Sequence, residues 1–171
     1  MSRYCLARCA TPAGEMLLAS EGAALVGVWF AGQRHFAASL PAAQAAYAEA
    51  EPLRAARAWL AAYFSGQWPI PAPLPPLAPI GTPFQAAVWR ALLCVPYGHT
   101  TTYGALAAEL SRRSGARTSP RAVGHAVGRN PISILIPCHR VLGAGGALTG
   151  YAAGLQIKQH LLRLEGCAFV K

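Results

Sequence analysis

Aspartate is absent from this chain of 171 residues, and its six acidic residues are all glutamate. That excludes sites built on aspartate, such as Asp-based catalytic triads and EF-hand calcium loops. Beyond Glu109 the only acid is Glu165. A carboxylate working inside the C-terminal half is therefore Glu165, unless Glu109 folds back. Asparagine occurs once, at Asn130. No apolar run reaches the ~20 residues that span a bilayer, so no transmembrane segment is expected. Met1–Ala10 is interrupted by Arg3 and Arg8 and does not read as a secretory leader. Cys5, Cys9, Cys94, Cys138 and Cys167 are odd in number and lack a disulfide-framework spacing. Free thiols in a reducing cytoplasm are expected.

What is present is a largely apolar chain, 54% hydrophobic, long enough for one compact domain or two small ones. Its net charge of +9 is lopsided. Residues 1–80 hold five arginines against four glutamates, and residues 81–171 hold ten basic residues against two. That balance predicts a polyanionic partner for the C-terminal half, nucleic acid or a membrane surface.

The first half reads as α/β. Tyr4–Ala10, Met16–Ser20 and Leu25–Phe30 are strand candidates separated by Pro12-Ala13-Gly14 and Glu21-Gly22, and a small antiparallel three-stranded sheet is the simplest arrangement. Leu53, Ala56, Trp59, Leu60 and Tyr63 recur at helical spacing before Gly66. Cys5, Cys9 and His35 match no closed zinc pattern, so no metal is assigned. Seven prolines from Pro69 to Pro83 predict a stiff connector. The expected organisation is an N-terminal domain over 1–68, a proline-rich connector over 69–82 and a C-terminal domain over 83–171.

The second half reads as mainly helical. Thr82-Pro83-Phe84-Gln85 has the N-cap, N1 and capping-box residues of a helix start, and that helix runs through Cys94. Helices over 103–111 and 119–128 follow, the second opened by Ser119-Pro120, with a basic loop holding Arg112, Arg113 and Arg117 between them. In this basic context the pair resembles a helix-turn-helix. Arginines there also suit a solvated face. Gly154–Leu164 is the last helix.

The chemistry centres on Ile134–Val141. A short apolar run ending at Pro137 reads as a buried strand or extended segment that delivers Cys138, His139 and Arg140 to the edge of the core. Cys138 reads equally as a packed thiol or as a nucleophile whose proton His139 takes, with Glu165 orienting the imidazole. Asn130-Pro131 reads as a helix-stop turn.

Ile136-Pro137-Cys138-His139-Arg140-Val141 does not stand alone. Arg121-Ala122-Val123-Gly124 and Asn130-Pro131 precede it, and Leu148-Thr149-Gly150-Tyr151 and a helix ending Leu164-Glu165-Gly166 follow. Together these motifs closely resemble the O6-alkylguanine-DNA alkyltransferases, over residues 80–166. The resemblance implies an α/β N-terminal domain and a mainly α-helical C-terminal domain carrying a winged-helix-like helix-turn-helix. It implies direct reversal of O6-alkylguanine damage, with O4-alkylthymine as a second substrate, by one irreversible transfer to Cys138. His139 would be the base, Glu165 its orienter, and Tyr103 the proton source for the departing guanine. Arg121 would fill the gap left by the flipped base. Ala122, Gly124, Tyr103, Arg129 and Arg117 would meet DNA, and Asn130 would brace helix against Cys segment. Cys138, Val141, Tyr151 and Ala152 would line the base pocket.

The implied partner is double-stranded DNA containing O6-alkylguanine and not a membrane, bound by a monomer, with cooperative binding open; no cofactor and no metal are implied. The connection over Arg112–Ser119 is longer than in most members and suggests added phosphate contacts. Ser133 stands where some members have proline. A non-catalytic alkyltransferase-like lesion binder is the alternative, against which the acceptor cysteine counts. A cysteine hydrolase is the other, against which the basic half counts.

Overall fold

A computed structural model describes residues 3–171. The chain divides into two compact units. One holds the residues up to Ile80 together with Pro131–Leu135, and the other holds Gly81–Asn130 and Ile136–Lys171.

In the first unit, β1 (Tyr4–Thr11), β2 (Gly14–Glu21) and β3 (Ala24–Phe30) form the expected antiparallel meander. The sheet is not purely antiparallel, however. A fourth strand, β4 (Ala45–Tyr47), joins parallel to β1, giving the order β3-β2-β1-β4. Three residues of alanine and tyrosine carry no alternation that would announce a strand. Gly27 on β3 has no room for a side chain: a Cβ there would come 1.7 Å from the Trp29 indole. α1 (Glu51–Phe64) buries Leu53, Ala56, Trp59, Leu60 and Tyr63, the residues of its helical repeat, and packs against β1, β2 and β3. The proline-rich stretch does not run free, since Leu77 bridges to Leu25 on β3. Farther along the same strand, Val28 pairs with Ile132. Ser133 bonds Gln33, whose Oε1 also accepts from the Phe30 N–H.

The second unit contains α2 (Pro83–Leu93), α3 (Tyr103–Ser114), α4 (Pro120–Gly128) and α5 (Leu155–Leu164). Thr82 and Gln85 exchange both capping-box bonds, at 3.2 and 2.9 Å. Thr102 caps α3 and Ser119 caps α4 through backbone N–H groups of Ala105 and Ala122. Trp89 on α2 donates from its indole to the Ala126 carbonyl at 2.9 Å, which ties α2 to α4. α3 outruns its expected end at residue 111. Arg112 and Arg113 lie on its last turn, not in a loop, and both bond Glu109.

The Cys138 segment is not a strand. Leu135 N–H bonds Ser133 O at 2.9 Å across Ile134, which has φ 71°. That is a γ-turn in the conformation a β-branched residue most resists. Cys138 N–H bonds Ile136 O at 2.8 Å across Pro137, at φ −81° and ψ 62°, an inverse γ-turn. A single 3-10 turn over Cys138–Arg140 follows. Only then does extended pairing begin, with β6 (Val141–Leu142) parallel to β5 (Thr101–Thr102). The whole run from Asn130 to Leu142 is buried.

Candidate active site and nucleic-acid interface

The tight turn gives adjacent side chains separate tasks that an extended strand could not. Cys138, only 6% exposed, accepts a hydrogen bond at Sγ from Asn130 Nδ2 at 3.1 Å. The same amide donates to Ile136 O at 2.9 Å. Asn130, just past the Arg129 cap of α4, thus bonds Val127 O through its backbone and grips both sides of the Pro137 turn through its side chain, which goes beyond a helix-stop turn. Burial pushes the Cys138 thiol up, opposed by the Asn130 bond, the Lys158 charge and a Tyr151 bond.

His139 and Glu165 meet at 2.6 Å, Nε2 to Oε1, with both side chains fully buried. Arg140 donates to the same carboxylate from Nε at 2.8 Å and Nη2 at 3.0 Å, and from Nη1 to Val95 O at 2.7 Å. Gly98, at φ 76°, donates its N–H to Glu165 Oε2 at 3.2 Å. Burial alone would raise the Glu165 carboxyl. The His139 and Arg140 bonds and charges overcome it and bring the value down to about 2. Burial also dominates at His139 and lowers its pKa despite Glu165, with Arg140 and Lys158 acting in the same direction. A neutral imidazole beside an ionised carboxylate donates from Nε2–H, so Nδ1 is its basic nitrogen. Glu165 does not serve Lys158; the lysine is bound elsewhere.

Val141 N–H bonds Cys138 O, and Val141 O accepts from Lys158 Nζ at 2.6 Å. Tyr103 at the start of α3 is half-buried, and burial raises its hydroxyl pKa, eased by a bond with the Thr149 side chain and raised further by Cys138. Tyr103 therefore stands near the thiol. The position a Cβ would take on Gly124 lies 3.6 Å from the Tyr103 ring, so α4 presents its small face to Tyr103. Tyr151 and Ala152 are half-buried in the loop before α5.

Arg117, Arg121, Ala122 and Arg129 are all exposed on α4 and its flanks. These four stand apart from the buried cluster, and the three arginines make that surface cationic. Among the described residues no group of three or more His, Cys, Asp or Glu could hold a metal ion.

The sequence motifs assign no role to Arg140, Gly98, Thr149 or Lys158. Lys158 was detectable. It sits three and four residues before Leu161 and Leu162, on the buried face of α5, where a lysine is unusual. Arg140 offered no such signal, because an arginine after Cys-His suits a surface equally well.

A helix pair with exposed arginines and a buried thiol in one unit defines a nucleic-acid-binding domain that carries its own reactive group. Residues 83–167 match the family model described as "6-O-methylguanine DNA methyltransferase, DNA binding domain". A methylated-DNA–protein-cysteine methyltransferase of Methanosarcina acetivorans is 52% identical over 116 residues, 68% of this chain and 70% of that protein. A crystal structure of Mycobacterium tuberculosis OGT in complex with DNA superposes with a TM-score of 0.74 at 37% identity, covering 95% of this chain and 91% of that one. An O6-methylguanine DNA methyltransferase from Methanococcus jannaschii gives 0.62 at 27% identity, covering 96% of each chain. The chain belongs to the 6-O-methylguanine DNA methyltransferase family.

Proposed function

We propose that this protein repairs O6-alkylguanine in double-stranded DNA by moving the alkyl group to Sγ of Cys138, once per molecule. The observation that carries the reading is the turn that holds a buried Cys138 beside His139, with Glu165 fixed behind the imidazole. The thiol proton leaves towards His139 Nδ1, directly or through one water. The sulfur lone pair then attacks the alkyl carbon, the S–C bond forms, and the C–O6 bond breaks. Guanine leaves with a proton, for which the Tyr103 hydroxyl is the donor. The proton that the thiol gave to His139 then restores the Tyr103 hydroxyl through solvent, so one proton leaves the thiol and one arrives on guanine, and the thioether product has no route back to a thiol.

Buried Cys138 cannot reach a base inside a stacked duplex, so the nucleotide must be turned out at a cost of a few kcal/mol. Arg121, exposed at the start of α4, is the residue to fill the vacated space, and Ala122 and Gly124 leave room for the groove. Arg117 and Arg129 take phosphates. Val141 and Cys138 carbonyls, with Tyr151 and Ala152, receive the base, and O4-alkylthymine presents a comparable alkyl-oxygen bond. The protein acts as a monomer in the cytoplasm; five free cysteines support a reducing compartment, and no helix among the described residues is long and apolar enough to cross a membrane.

The test is intact-protein mass after incubation with duplex carrying O6-methylguanine. A stoichiometric gain of one methyl is expected, absent in Cys138→Ala. Lesion binding without any gain in mass would make the protein a binder, and demethylated DNA without protein adduct would make it a turnover enzyme.

A further inference from the structure

α4 turns one side to the core and the other to solvent. Val123, Ala126 and Val127 are buried, whereas Arg121, Ala122, His125, Gly128 and Arg129 are exposed. At about 100° per residue the exposed arc runs Gly128, Arg121, His125, Arg129, Ala122. His125 therefore stands at its middle, with one arginine a turn before it and another a turn after. Ala122 and Gly128 are too short to screen it. Among the described residues His125 makes no hydrogen bond or ion pair. α4 packs on α2 and α3. The titratable and charged side chains there are Arg90 and the capping Cys94 on α2, and Tyr103, Glu109, Arg112 and Arg113 on α3. Tyr103 meets the Gly124 side of α4, Cys94 bonds Arg90 O, and Glu109 is held by Arg112 and Arg113. Arg117 comes from the loop before α4. None of these groups bonds the imidazole.

We propose that His125 is a proton-dependent DNA contact: in the complex it is an imidazolium that donates to a backbone phosphate, so that duplex binding takes up one proton. This rests on the exposed face of α4 being the face that meets DNA. Histidine is the side chain whose charge changes between about pH 5 and 8. In the free protein two influences on that charge oppose each other. His125 lies in the last turn of α4, where the helix dipole favours a cation, and the arginines on either side of it disfavour one. A polyanion tips that balance. A phosphodiester offers the full negative charge that an imidazolium between two arginines needs, whereas a base edge offers only dipoles and serves a neutral imidazole equally well. The proton comes from solvent on binding and returns to it on release. α4 thus presents two fixed charges at pH 8 and a third, supplied by DNA binding itself, as the solution becomes mildly acidic.

The experiment measures binding of the full-length protein to a labelled, undamaged duplex by fluorescence anisotropy, at pH 5.5 and pH 8 and at several salt concentrations. No alkyl group is present, so the outcome is separate from that of the methyl-transfer assay: duplex binding without a pH effect from His125 would overturn this proposal and leave the repair reading standing. His125 is exposed and unbonded, so its variants are expected to keep the fold. Wild type is expected to gain about three- to tenfold more affinity between pH 8 and pH 5.5 than His125→Ala does, the effect of a nearby opposite charge on a solvated histidine. Any gain from the other exposed histidines, His99 and His160, is common to both proteins. At pH 5.5 the salt slope of wild type should exceed that of His125→Ala by about one, and at pH 8 the two should agree. His125→Lys, charged at both pH values, should bind at pH 8 nearly as tightly as wild type does at pH 5.5. The same pH ratio in His125→Ala and wild type overturns the proposal. So does an equal loss of affinity at both pH values with an unchanged salt slope, which would put a neutral imidazole on a base edge.

Discussion

The two units use the same charged residue types in opposite ways. In the first, every glutamate sits on the surface beside an arginine: Glu15 with Arg8, Glu21 with Arg3, Glu49 with Arg57 and Glu51 with Arg54. Such pairs cancel charge and contribute about 0–1 kcal/mol each. In the second, Glu109 holds Arg112 and Arg113 on the surface, and Glu165 is buried with His139 and Arg140. Arg117, Arg121 and Arg129 are left without an acid among the described residues. Charge is cancelled on the surface of the first unit, and in the second it is left bare on α4 and its flanks and buried around Glu165. Net charge alone shows none of this partition.

Exchanging a glutamate of each kind should produce the largest contrast. Glu165→Ala leaves Arg140 and His139 buried without their anion and is expected to cost about 3–5 kcal/mol. Glu51→Ala should stay within about 0.5 kcal/mol. Equal denaturant midpoints for the two variants would erase the distinction. The acid limb sharpens it. A carboxyl whose pKa folding depresses contributes stability above its unfolded value and loses it as pH falls towards the folded one. For Glu165 that window runs from 4.5 down to about 2. Urea unfolding of Glu165→Gln should lack that share of the acid destabilisation.

Arg121→Ala comes next. If this arginine replaces the flipped base, transfer from duplex should slow about tenfold, some 1.4 kcal/mol of barrier, with little change for the free modified base. Equal slowing on both substrates would remove that role. The smallest effect concerns bare against paired arginines. Arg117→Ala should reduce the salt slope of duplex binding by about one, whereas Glu109→Gln, which frees Arg112 and Arg113, should steepen it. A Glu109→Gln slope equal to wild type would show those arginines already reach phosphate.

Helix starts in the second unit were legible because capping is local chemistry: Thr82 with Gln85, and Ser119 with Pro120, act over three residues. The strand expected at Ile134–Val141 failed for the complementary reason. An apolar run signals burial but not backbone direction; the turn at Pro137 is held by Asn130 from outside the run, and nothing in the run announces the positive φ of Ile134. β4 was invisible because a three-residue parallel pairing is decided by β1. The Cys138, His139, Glu165 and Asn130 set was recognisable through its motifs, whereas Lys158 was judged by its charge instead of by its place on α5.

One consequence of the Glu165 carboxylate lies in inheritance. It answers at once to an imidazole, a guanidinium and the backbone of Gly98. An aspartate, one methylene shorter, could not reach all three. Substitutions at His139, Arg140 and Glu165 are therefore epistatic, each altering what the next one costs. Divergence at this point has to proceed as a joint replacement, since single steps pass through a stranded buried charge.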